Sequence, residues 1–151
     1  MKIKTSELTG AALDWAVASA AGYLTGGHFH YRECRRVELR GRVLIDWAAT
    51  RVTDDDLTVW NPTGDWAQGG PIIEQGTISV IAYGGEWRAT NGDQVTEEAY
   101  SFAPLQRNAS GTFQTMQGYA DEAGGTPLIA AMRCFVASKL GDEVEIPDEL
   151  L

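Results

Sequence analysis

Residues 60–75 read W-N-P-T-G-D-W-A-Q-G-G-P-I-I-E-Q and concentrate two indole rings, a carboxylate, side-chain amides and a Gly-Gly-Pro step in one stretch. Those types suit recognition of a small, flat, anionic molecule. Trp60 and Trp66 can wall a planar ring, each stacked base being worth about 1–3 kcal/mol. Asp65 can accept from ribose hydroxyls or base N–H groups, and Gln68 adds an amide that both donates and accepts. Gly69 and Gly70 would let a ligand approach the backbone. Pro71 suits the first position of a helical turn through 72–75, whose free N–H groups would then face a phosphate or carboxylate. Asn61-Pro62 and Thr63-Gly64 reverse the chain just before. Each residue also has a plainer use: tryptophans of a small domain mostly fill its core, and Gly-Gly-Pro often only turns a corner, with Gly70 then at a positive φ.

Other stretches carry weaker chemistry. His28, His30 and Cys34 spell His-x-His-x-x-x-Cys without a fourth ligand, so no metal is expected. Arg32, Arg35, Arg36, Arg40 and Arg42 form the chain's one basic cluster, readable as a solvated face or as a guanidinium lining for an anion. Asp54-Asp55-Asp56 lacks the alternate spacing, central glycine and distant glutamate of a calcium loop. Neither a nucleophile elbow nor a Walker loop occurs. The expectation is therefore a protein without catalytic residues or cofactor.

The elements that must position these groups follow from composition and periodicity. A chain of 151 residues suits one domain able to bury about two thirds of its unfolded surface. Its net charge of −9 opposes binding to a nucleic-acid polymer. No apolar run reaches the ~18–20 residues of a membrane span, and no signal peptide is evident, so the host cytoplasm is the expected location. Cys34 and Cys134 should be reduced thiols.

Lys2-Ile3-Lys4 reads as an edge strand, and Thr9 as the cap of a helix over 10–21 with Leu13, Ala16, Val17 and Ala20 on one stripe and Gly22 as its stop. Strands are expected at 43–48 and 57–60, and the best hairpin at 77–83 and 86–90 around Gly84-Gly85. Residues 91–125 read as a long loop or insertion holding a strand at 99–103, with a turn at Gly124-Gly125. The last helix is capped by Thr126, started by Pro127 and stopped by Gly141, with Leu128, Ile129, Met132, Phe135, Val136 and Leu140 as its stripe. Residues 142–151 read as an acidic tail, mobile or strand-like at its start. The expected fold is α+β, a single domain with an antiparallel sheet packed against two main helices.

Three segments, T-S-E-L-T-G-A-A-L-D-W-A-V-A, D-W-A-Q-G-G-P-I-I-E and T-P-L-I-A-A-M-R-C-F-V-A-S-K-L-G-D-E-V, resemble the NinX family of small accessory proteins of tailed bacteriophages and prophages. Position by position the resemblance covers Leu13, Asp14 and Trp15, then Asp65, Trp66 and 69–74, then Thr126, Pro127, Arg133 and Lys139. It supplies a context, since phage proteins of this size are often counter-defence factors and several act as sponges for nucleotide signals. In that context Trp60 or Trp66 would stack a base, and the Gly69-Gly70-Pro71 turn with Arg88 or Arg133 would hold phosphate. The leading expectation is a homo-oligomer, a dimer or higher, that sequesters a cyclic nucleotide or ADP-ribose-like ligand without cleaving it. The alternatives are an acidic interaction protein that inhibits a host defence enzyme by direct binding, and a nucleotide hydrolase using Asp65, Glu74 or a histidine as base.

Overall fold

The structure, a computed structural model, describes residues 1–25, 28–29, 32–47, 57–83, 86–91, 105–107, 113–115 and 121–151. The turn expected at Gly84-Gly85, the strand expected at 99–103 and the aspartates at 54–56 lie outside them.

The chain is α+β, as its patterning implies. Eleven strands are described: β1 (Lys2–Lys4), β2 (His28–Phe29), β3 (Arg32–Leu39), β4 (Val43–Trp47), β5 (Thr58–Val59), β6 (Ile78–Tyr83), β7 (Glu86–Asn91), β8 (Leu105–Arg107), β9 (Phe113–Thr115), β10 (Asp121–Gly124) and β11 (Glu143–Glu145). They form four antiparallel groups: β2-β3-β4-β5, β10-β7-β6, β8-β9 and β1-β11. The helices are α1 (Gly10–Ala20), α2 (Trp66–Gln75) and α3 (Pro127–Leu140).

The centre of the molecule is α3, which packs on the β10-β7-β6 sheet and also on α1 and α2. Its ends form as expected: the Thr126 hydroxyl accepts from the Ile129 N–H at 3.1 Å, Pro127 occupies the first turn, and Gly141 follows at φ 91°. Its burial differs from the single stripe that was expected. Ala130, Ala131 and Cys134 are buried with Leu128, Met132, Phe135 and Val136, whereas Leu140 is 39% exposed. A helix with neighbours on several sides needs small residues where they come close, and alanine fills those positions without side-chain entropy cost. A Cβ added at Gly124, the last residue of β10, would lie 2.6 Å from the Ala130 backbone nitrogen.

The acidic tail is strand-like at its start, one of the two forms expected of it, and the 91–125 segment holds strands that the expected loop did not include. The acidic tail is docked: β11 pairs with β1, the Met1 ammonium donates to the Ile146 carbonyl while the Ile146 N–H donates to the Met1 carbonyl, and Val144 and Ile146 are buried. Thr5 adds two bonds, its N–H to Asp142 and its hydroxyl to Gly141. Within 91–125, β10 is an integral strand paired with β7, and 105–107 pairs with 113–115. Polar composition hid β10, because Asp121-Glu122 carries none of the alternating apolar pattern that marks a strand.

The Gly124 contact gives the first prediction. Gly124→Ala should destabilise the protein by about 1–3 kcal/mol, the range for overpacking against backbone that cannot move aside. Urea denaturation checks it; an unchanged midpoint would show that β10 and α3 do not depend on this approach.

Candidate functional site

Residues 57–75 form a corner that joins the four-stranded sheet to α3. Trp60 enters it from β5, its N–H bonding the Val43 carbonyl at 2.9 Å. The chain then turns at 61–64, with Gly64 and Asp65 N–H both on the Asn61 carbonyl, and α2 begins.

Asp14 of α1 anchors the turn. Its backbone carbonyl accepts from the Trp60 indole Nε1 at 3.0 Å, and its carboxylate Oδ1 accepts from the Thr63 N–H at 3.1 Å. The side chain is only 5% exposed. Burial pushes its pKa up to about 6, while the Thr63 bonds pull it the other way. Sequence patterning missed this residue, because an aspartate between Leu13 and Trp15 reads as the solvent face of a helix. Only a partner 49 positions away makes it internal.

Trp60 as a stacking platform is corrected. It is 3% exposed and packs edge-on against Tyr23 and Trp47, with ring centroids 5.5 and 5.9 Å away. Tyr23 and Trp47 meet at 5.1 Å and close the cluster. Such edge-to-face contacts, together with the Nε1 bond, are what a buried indole needs. No ring face is left for a ligand.

The start of α2 is also corrected. The helix begins at Trp66, five residues before Pro71, with Asp65 as its cap and Oδ1 accepting from the Ala67 N–H at 2.9 Å. The Gln68 and Gly69 N–H groups go to the Asp65 carbonyl at 3.1 and 2.8 Å. The 72–75 N–H groups expected to hold an anion therefore lie inside the helix instead of at its start, and at that start the cap places a carboxylate where a phosphate would have to sit. Pro71 lies inside the helix, where its ring leaves the Ala67 carbonyl without the usual donor; Ala67 is exposed, so water can serve it.

Gln68 has a structural use. Its amide donates to the Val59 carbonyl at 2.8 Å and its Oε1 accepts from the Asn61 N–H at 2.6 Å, strapping the strand end to the helix. Gly69 is buried against α3, where an added Cβ would stand 2.6 Å from Leu128 Cδ2 and 2.6 Å from the Pro62 carbonyl oxygen. Gly70 has open space at its Cβ position and is not among the positive-φ glycines, which corrects the expectation for a structural corner.

The remaining candidates separate. Trp66, at the first position of α2, is 58% exposed. Arg133 sits on α3 and donates Nε to the Leu8 carbonyl at 2.9 Å, tying that helix to the entry of α1. Arg88 sits in the central strand β7, opposite Ile81 on one side and Ala123 on the other. Thus Trp60, Asp65, Gln68 and Gly69 are joined in one corner as structural parts, and Trp66 alone of these residues presents a largely open side chain.

Two arginines of the basic cluster have carboxylate partners close by. Arg36 pairs with Glu38 at 2.6 Å and with Asp46 at 3.4 Å, and Arg40 with Glu38 at 2.8 Å. Cys34 is buried, its Sγ donates to the Arg36 carbonyl at 3.4 Å, and burial pushes the thiol up, away from a reactive thiolate. Among the described residues no three His, Cys, Asp or Glu side chains gather around a common point. Among the described residues, open cavities elsewhere include one of about 640 Å³ lined by Lys4, Ser6, Asp142 and Glu143, and one of about 520 Å³ with Trp15, Leu24, Glu145 and Asp148 in its lining. Acidic groups border both, and neither is built from the 60–71 corner.

The family model described as Bacteriophage P22, NinX, matches residues 4–139, which includes the corner, α1, α2 and α3 up to its penultimate residue. No curated protein matches the chain.

Two predictions follow from the corner. Gly69→Ala should cost about 1–3 kcal/mol by overpacking against Leu128 and the Pro62 carbonyl, while Gly70→Ala should be neutral or stabilise by about 0.5–1 kcal/mol as alanine replaces glycine within a helix. Equal thermal midpoints for the two variants would refute the close approach of α2 to α3.

Asp14 gives a pH dependence. A carboxyl whose folded pKa lies above its unfolded value binds more protons in the folded state, so its contribution makes stability rise as pH falls from about 7 to about 4, by up to roughly 3 kcal/mol. Asp14→Asn keeps the acceptor for Thr63 and removes the titration. The difference in unfolding free energy between the two proteins should therefore vary across that window, and a constant difference would mean that Asp14 titrates normally.

Proposed function

The chain belongs to the NinX family of bacteriophage proteins, and from that premise we propose that it is an accessory protein that acts by binding a host protein through a surface centred on Trp66, without catalysis of its own. The observation that carries this reading is the 58% exposure of Trp66 on a helix whose other contacts are rigidly set. An indole held on a capped helix loses little conformational entropy on binding, which is why tryptophan is prominent among the few residues that dominate protein interfaces. A net charge of −9 steers such a surface toward a basic partner, the class to which nucleic-acid-handling enzymes belong. Inhibition of a host defence enzyme in the host cytoplasm is the role that this arrangement and the phage origin fit together. Among the described residues no helix is long and apolar enough to cross a membrane.

A second reading, sequestration of a nucleotide-derived ligand, is supported by the same open indole, which could stack a base. It is the weaker of the two because the helix N-terminus is already capped by Asp65 and the two cavities named above among the described residues carry acidic linings.

The test uses purified protein and its Trp66→Ala variant. Each is incubated with cyclic and ADP-ribose-derived nucleotides and then heated to release ligand, and each is titrated against any host protein that co-purifies. The expected result is no nucleotide uptake, and a partner affinity weakened by about 2–4 kcal/mol in Trp66→Ala with the thermal midpoint nearly unchanged. Intact nucleotide in the heated supernatant would move the conclusion to sequestration, and a chemically altered one to an enzyme.

A further inference from the structure

The docked C-terminal segment leaves a hollow beside α1, the cavity of about 520 Å³. From the helix come Trp15 and Ser19, which stand one turn apart and so share a face, and Leu24 follows in the short turn after it. The rest of the lining comes from Met1 and residues 145–148. Trp15 is half-buried and Leu24 is exposed, whereas Ile146 is fully buried and held by the Met1 ammonium at 2.7 Å. The charges in this lining do not balance. Glu145 lies 2.8 Å and Asp148 3.5 Å from the Met1 ammonium, so two carboxylates share one cation.

We propose that this hollow is a binding site for an organic cation, a guanidinium or ammonium head on an apolar stem. Its lining disfavours the other ligand classes in turn. The surplus carboxylate opposes an anion. A bare divalent ion needs oxygen ligands on several sides, and Trp15, Leu24, Ile146 and Pro147 supply carbon instead. An uncharged apolar molecule would take water from the carboxylates and give them no partner in return. An organic cation meets both kinds of surface. The indole attracts the charge and covers the stem, and Asp148, the acid that Met1 approaches less closely, pairs with the head. A basic side chain of a polypeptide and a free amine share this chemistry. The site has no residue in common with the Trp66 surface, so the failure of either reading leaves the other intact.

The experiment is a two-dimensional NMR titration of the whole protein with two charged probes, acetyl-arginine amide and hexylamine, and their neutral counterparts, acetyl-citrulline amide and hexanol. A charged probe should shift the Trp15 indole and Leu24 resonances and saturate by about 1 mM, a scale suited to so small a ligand, while its neutral counterpart leaves them in place. Saturation by the arginine probe alone identifies a polypeptide side chain, by hexylamine alone a free amine, and by both the whole class. Asp148→Asn, at a side chain 92% exposed, should weaken binding about threefold, and Leu24→Lys about tenfold, with thermal midpoints nearly unchanged. Glu149→Gln removes an equal charge from an exposed neighbour outside the lining and should leave the affinity as it was. The proposal is overturned if neither charged probe saturates, if a neutral counterpart binds as well, if folded Asp148→Asn binds like the wild type, or if Glu149→Gln weakens binding equally.

Discussion

The burial of α3 on several sides is the constraint on which the other elements depend. A helix that meets a sheet, α1 and α2 at once has no broad solvent face along its middle, so its neighbours must approach closely or leave voids. The chain meets this with alanines and a cysteine on the helix and glycines on two of the neighbours. Gly69 brings α2 against Leu128 and Met132, and Gly124 brings β10 against the Ala130 backbone. Such contacts are short-ranged and unforgiving. They hold α2 at a set distance from the core, and α2 carries the exposed Trp66.

The second determinant is Asp14. One residue receives the Trp60 indole on its carbonyl and the Thr63 amide on its carboxylate, which joins α1 to a corner 46 to 49 positions later. A buried carboxylate with its pKa raised to about 6 opposes folding at neutral pH relative to an exposed one. What it gains is specification: the two bonds fix where the chain leaves β5, and Gln68 then fixes where α2 begins. Together they fix the start of the helix that carries Trp66.

Legibility in the sequence tracked how local each determinant is. The caps of α3, the β6-β7 hairpin and β1 were readable because Thr126-Pro127, Gly141 and the period-two alternation act within a few residues. The corner was misread where two local signals competed. Pro71 marks a helix start and Asp65 marks an earlier one; the earlier prevailed because the Asp65 side chain and carbonyl accept from the Ala67, Gln68 and Gly69 N–H groups. The core role of Trp60 was among the uses weighed, but the choice between core and site depends on Asp14, Tyr23 and Trp47, none of them close in sequence. Gly69 was identified as special for the wrong reason: helix packing, not ligand approach, requires it.

Charge and contact are divided between different parts of the molecule, and that division bears on how a partner would be met. The arginines at 36 and 40 are matched locally by Glu38 and Asp46, so they add little to the long-range field. Much of the acid surplus described here lies on the docked C-terminal segment, where Asp142, Glu143, Glu145, Asp148 and Glu149 are exposed. Exposed charges act at a distance of about a Debye length, and they govern how fast a basic partner arrives. An exposed indole acts only on contact and governs how long the partner stays. Because α3 and the Asp14 corner position α2 apart from the tail, the two quantities would vary separately under the proposed reading: salt would change the encounter, and the indole would set the residence time.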